Sequence, residues 1–152
     1  MKSIDQPAVK QQIVERIGKL RADLSRRWGR MNARQVVCHL NDAFLATMGE
    51  KAVPIDPDFR WRRVIKWCAL YIPTPWPEGV PTRPEIDQEF NGTPPSDFEA
   101  DRQTLLALVE RFTMQQRDFE FQPHPMFLGM TEWQWMRWGY LHTDHHLRQF
   151  GV

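Results

Sequence analysis

Thr131-Glu132-Trp133-Gln134-Trp135-Met136-Arg137-Trp138-Gly139-Tyr140-Leu141-His142-Thr143-Asp144-His145-His146-Leu147-Arg148-Gln149-Phe150 carries the pattern that decides the reading of this chain. Thr131 and Gln134 stand at capping-box spacing, and Met130 and Trp135 stand where a hydrophobic staple puts them. The spacing predicts a helix running to about Gln149. On a helix, residues four apart lie about 40° apart around the axis and one turn along it, so His142 and His146 share a face. His145 falls roughly 60° to the other side of His142. Two imidazoles on one face can bind one divalent ion. The stretch is not a zincin motif, because Thr143 stands where that motif has its catalytic glutamate.

A third imidazole lies 103 residues earlier. Asn32 and Gln35 form a second capping box, with Met31 and Val36 as its staple, and Gly49 closes the helix they open. Val36, Leu40, Ala43, Phe44 and Thr47 make its inner stripe, and His39 lies beside that stripe on a helix that can face the last one. Three nitrogen ligands leave a coordination position open, which is the pattern of catalytic rather than structural sites. A thiolate-free imidazole set suits Zn²⁺, Ni²⁺ or Fe²⁺. Cys38 sits about 100° around the helix from His39 and reads as buried rather than liganding. A plain helical scaffold whose histidines only pack stays open as the bland alternative.

Outward from these helices the signals weaken. Val9, Ile13, Ile17, Leu20, Leu24 and Trp28 recur at steps of three and four, which predicts a first helix from Pro7 to about Trp28, stopped by Gly29. A short amphipathic piece is expected over about Asp58 to Tyr71. Prolines at 73, 75, 77, 81, 84, 94 and 95 forbid a continuous helix after it. Loops this long inside a compact domain tend to cover a functional opening. Ser96-Asp97-Phe98-Glu99 reads as a capping box for the next helix, whose stripe is Phe98, Leu105, Leu108, Val109 and Phe112. No alternation of strand type, repeat or low-complexity tract is present.

The bulk numbers exclude several classes. The 152 residues suit one domain, 1–152, with 41% hydrophobic and 26% charged residues, which are globular values. Twenty basic residues against nineteen acidic ones give no field that would draw nucleic acid. No apolar run reaches the roughly 20 residues of a membrane span, and the first residues lack a signal-peptide core. Cys38 and Cys68 are too few for a disulfide framework, so the expectation is a cytoplasmic protein with reduced thiols.

The segment Ala33-Arg34-Gln35-Val36-Val37-Cys38-His39-Leu40-Asn41-Asp42-Ala43-Phe44 resembles the second-helix ligand segment of the DinB/YfiT-like superfamily. Its partner is Trp133 to Tyr140 followed by His142-x-x-x-His146-Leu147-Arg148-Gln149-Phe150. His124-Pro125 with Phe127-Leu128-Gly129, Thr93-Pro94-Pro95 before the third long helix, and the His145-His146-Leu147-Arg148-Gln149-Phe150 ending resemble one branch described only as a domain of unknown function. The resemblance covers essentially the whole chain. It implies an all-α, up-down-down-up four-helix bundle, here with a proline-rich insert between helices two and three, and a divalent metal on His39, His142 and His146. Characterised relatives in that superfamily transfer or isomerise with low-molecular-weight thiols.

These readings set the functional expectation. A metal-dependent enzyme would join a low-molecular-weight thiol to a small electrophile held against Trp135, Trp138 or Phe44, with Asp42, Tyr140 and Gln149 as candidates to orient ligands or pass protons. His124, between two prolines, is placed either at the pocket mouth or on the surface. A metal-dependent hydrolase and a non-catalytic metal or small-molecule binding module are the alternatives. The expected partner is a small molecule, with no nucleic acid or membrane, in a monomer or homodimer.

Overall fold

The structure, a computed structural model, describes residues 1–56 and 60–152. Among these residues the chain is all-helical, as the sequence implies. It forms α1 (Pro7–Lys19), α2 (Ala33–Thr47), α3 (Arg62–Tyr71), a 3₁₀ turn (Pro84–Ile86), α4 (Phe98–Thr113) and α5 (Glu132–Gln149). The only β pairing among them is a single antiparallel bridge between His124 and Leu128. No helix among the described residues is long and apolar enough to cross a membrane.

Local chemistry sets the helix starts. Asn32 accepts from the Gln35 backbone N–H while the Gln35 side chain accepts from the Asn32 N–H, and Thr131 and Gln134 repeat the arrangement at α5. Each box satisfies two of the donors a helix start leaves open. At α4 the cap is Asp97, not the expected Ser96: Asp97 accepts from Ala100 N–H, and Ser96 is drawn instead onto the Asp101 carboxylate. α3 starts at Arg62, after a left-handed Trp61; Asp58 lies outside the described residues.

α1 ends at Lys19, well short of the expected Trp28. Leu20 turns extended (φ −64°, ψ 134°) and is fully buried, its N–H closing on Ile17 O. Residues 21–31 then wrap the end of α5: Arg27 N–H donates to Gln149 O at 2.7 Å, and Gln149 Nε2 donates to Trp28 O. The apolar spacing of Leu20 and Leu24 continues past the helix because both still face the core, one buried and one partly so. Periodicity registers which side chains face the core, and here Leu20 and Leu24 do so from a non-helical, largely exposed segment.

α2 packs chiefly along α4 and α1 along α5, with lesser contacts of α1 on α4 and of α2 on α5. Val36, Leu40 and Phe44 of α2 share one core with Leu105, Val109 and Phe112 of α4 and Trp135 and Leu147 of α5. α5 approaches so closely at Gly139 that a Cβ there would lie 3.0 Å from the Phe112 ring and 3.2 Å from Ile4. The connection from α2 to α4 is pinned at its far end by Asp42, which is fully buried. Its carboxylate accepts from Thr93 N–H (2.8 Å), Thr93 Oγ1 (2.6 Å) and Gln88 Nε2 (3.0 Å), and pairs with Lys51 at 3.2 Å.

Candidate metal centre

α2 and α5 bring their imidazoles together. His39, His142 and His146 each present a ring nitrogen within 4.8 Å of the others. His39 Nε2 stands 3.1 Å from His142 Nε2. Nitrogens about 2.1 Å from a tetrahedral zinc are about 3.4 Å apart, so this pair stands close to the separation of two ligands. These three close-set histidines, two buried and one part-exposed in a cavity wall, can hold a metal ion.

The hydrogen bonds behind the rings decide which nitrogens are free. His39 Nδ1 lies 2.7 Å from the carbonyl of Ile86, which can only accept, so Nδ1 carries the proton and Nε2 keeps its lone pair. His146 Nδ1 lies 3.0 Å from Gln149 Oε1. The orientation of that amide is fixed because its Nε2 donates to Trp28 O at 2.8 Å. Gly29 makes room for this contact: at φ +77°, a Cβ would sit 2.6 Å from Gln149 Nε2. His146 therefore also turns an unprotonated Nε2 inward. Outer partners of this kind are what orients ligating histidines. His142 Nδ1 has no partner among the described residues, and its ring is held by packing on Trp138, with centroids 4.8 Å apart.

Burial lowers the pKa of all three rings, His142 and His146 well below the ordinary value. Mutual repulsion adds to this for His142 and His146. The Ile86 carbonyl and the Asp42 and Asp87 carboxylates oppose it at His39, and Gln149 opposes it at His146. Neutral imidazoles are the form a metal requires.

The triad lies in the wall of a cavity of about 820 Å³, which all five histidines of the chain line. The proline-rich segment supplies much of the rest of the lining. Trp76 packs within 6.0 Å of the His142 ring and 6.3 Å of His145, held by an Nε1 hydrogen bond to Ala69 O. Trp135 and Trp138 also face the cavity. Phe44 does not: it is sealed in the core against Phe112 and Trp138. Cys38 is buried against Asp101 and does not line the cavity, and burial with that carboxylate pushes its thiol up to about 12. His145 lies beside His146, facing the Trp28 and Trp76 rings.

The other expected site residues are dispersed. Gln149 orients His146. Asp42 faces the 88–93 loop and is not part of the cavity wall. Tyr140, roughly 160° around α5 from His142, lines a separate smaller cavity between the cationic groups of Lys2 and Arg137. Sequence reasoning missed the Ile86 and Trp28 carbonyls and the place of Trp76. Backbone acceptors carry no residue-type signal, and nothing in a proline run says which aromatic turns inward.

Comparison with curated proteins and with solved structures gives no match. A family model described as Protein of unknown function (DUF1569) matches residues 3–151, nearly the whole length, and the chain belongs to that family.

Proposed function

We propose that this protein is a metal-dependent enzyme of DinB-like type that joins a low-molecular-weight thiol to a small apolar electrophile. The observation that carries the reading is the convergence of unprotonated His39 and His146 nitrogens, with His142, on one wall of a large apolar cavity. The DinB-like topology draws support from the packing of α1, α2, α4 and α5 on one another and from the long connection between α2 and α4, where an up-down-down-up bundle needs its crossover.

The three imidazoles would hold the ion, zinc, nickel or iron in character. A bound divalent ion supplies Lewis acidity, which makes a coordinated thiol or water more acidic near neutral pH. The chain's own part is positional. Ile86 O and Gln149 fix two rings, Trp138 packs on the third, and Trp76, Trp135 and Trp138 offer flat apolar surface for an electrophile. Desolvating and orienting two reactants is the larger share of such catalysis, because nucleophilicity falls as a thiol's pKa falls.

The test is elemental analysis of untagged protein beside transfer of several thiols to monochlorobimane and a dinitrohalobenzene. Stoichiometric metal and a rate abolished in His39→Ala are expected. Metal without any metal-dependent rate above the chelated control would replace this reading with a binding module. Ester or amide hydrolysis in its place would make it a hydrolase.

A further inference from the structure

The imidazole of His124 is fixed on every side, and one edge of it is unused. Pro123 and Pro125 flank it, and its backbone exchanges two hydrogen bonds with Leu128, His124 N to Leu128 O at 2.9 Å and the return at 2.8 Å. Its ring stacks on Phe127 with centroids 4.3 Å apart and an 11° tilt, and the Trp135 and Trp138 rings lie within 6 Å. Nδ1 accepts from two backbone donors, Met126 N–H and Phe127 N–H, both at 3.1 Å. A neutral ring with Nδ1 occupied as an acceptor carries its hydrogen on Nε2. Nε2 meets no protein acceptor among the described residues. It is not sealed in as His142 Nδ1 is, so it opens to the cavity that His124 lines.

We propose that His124 is a ligand-positioning residue whose Nε2–H donates to a neutral acceptor oxygen, a carbonyl above all, on an apolar molecule in this cavity. Trp138 packs on both His124 and His142, so the donor stands one ring away from the triad. Burial, helped by the positive charge of Lys66, lowers the His124 pKa to about 3, and the ring stays a neutral donor throughout the physiological range. A neutral ligand fits better than an anion, because the cations that line the cavity are already engaged. Lys51 pairs with Asp42, and Arg83 with Asp56 and Glu85. The inference rests on this cavity being the ligand site, as proposed above, and does not require the ion.

The experiment titrates untagged protein, metal-loaded and chelated, with 2-acetylnaphthalene and 2-ethylnaphthalene, which differ in the carbonyl oxygen. In His124→Asn the amide oxygen replaces Nδ1 as acceptor for Met126 and Phe127, but no donor reaches the place of Nε2. The ratio of ketone to hydrocarbon affinity is expected to fall two- to tenfold in that variant, the worth of one net hydrogen bond, with hydrocarbon affinity kept. In the wild type, the infrared C=O stretch of the bound ketone is expected below its position in hexane, with and without metal. That reading stands even if the variant folds poorly. An unchanged affinity ratio, a stretch at the hexane position, or a shift lost on chelation would overturn the assignment, the last by placing the oxygen on the ion. A shift that persists in protein with no metal-dependent turnover would retain His124 as a donor while removing the enzyme reading.

Discussion

Gln149 links two parts of the chain through one amide: its nitrogen is held by Trp28 O and its oxygen by His146 Nδ1. Losing it frees the His146 ring to rotate and to move its proton to Nε2. Gln149→Ala should weaken metal binding about 10- to 100-fold, measured by competition with a chromophoric chelator. His145→Ala, with its ring on the far side of His146, should bind as the wild type does. At the same scale His124 gives a pH effect with a definite sign. Its folded pKa, about 3, lies below the ordinary 6.5 of the unfolded chain, so below pH 6.5 the unfolded state binds more protons. Chelated wild type should lose about 1.4 kcal/mol per pH unit from this group as pH falls from 6.5 toward 3, and His124→Asn should be spared that share. Urea unfolding at pH 7, 6 and 5 measures it; a wild-type-to-variant gap that does not change with pH would show the ring is not held neutral. The three triad histidines were legible in sequence because helical spacing puts 142 and 146 on one face. Of their orienters, Gln149 was named from the sequence, but the Ile86 carbonyl and the Trp28 carbonyl that holds the Gln149 amide were not, because backbone acceptors carry no residue-type signal.

At the scale of elements, the caps of α2 and α5 and the apolar stripes of α2 and α4 could be read off the sequence, because side-chain caps and 3.6-residue periodicity are local, while at α4 the cap falls on Asp97, one residue after the expected Ser96. Two things were not local. The end of α1 depends on what residues 21–31 find on α5, and the path of residues 50–95 depends on anchors at Asp42, Trp76 and Ile86. Asp42 shows what such an anchor does for the site. It holds the loop that follows Ile86, whose carbonyl orients His39. Asp42→Ala removes the carboxylate that Thr93, Gln88 and Lys51 share, and should cost about 3 kcal/mol. It should also loosen metal binding. Leu105→Ala makes the control, because Leu105 is fully buried in α4, which contributes no residue to the cavity wall. It should cost about 2–5 kcal/mol and leave metal affinity unchanged. Equal metal affinities in the two variants would mean the loop does not act on the triad.

Over the whole molecule, the site and the core share Trp135 and Trp138, but most of the core lies away from the cavity. Ile13, Ile17, Val36, Phe44, Val109 and Phe112 bury completely and none of them lines the cavity, so the chain should fold with the metal removed. The ion joins α2 to α5 across an interface that apolar packing has already made. Binding at 100 times the dissociation constant would add about 2.7 kcal/mol, which for a chain of this size raises Tm by roughly 5–10 °C. The pH dependence follows from the ligands. The folded rings have lowered pKa values, so they remain unprotonated below 6.5, and the metal-induced rise in Tm should persist through pH 6.5 and disappear only at more acidic pH. Calorimetry with and without zinc from pH 8 to pH 4 measures both effects. Unfolding by a chelator at 25 °C and neutral pH would turn the triad into a structural site, and the open coordination position would lose its purpose.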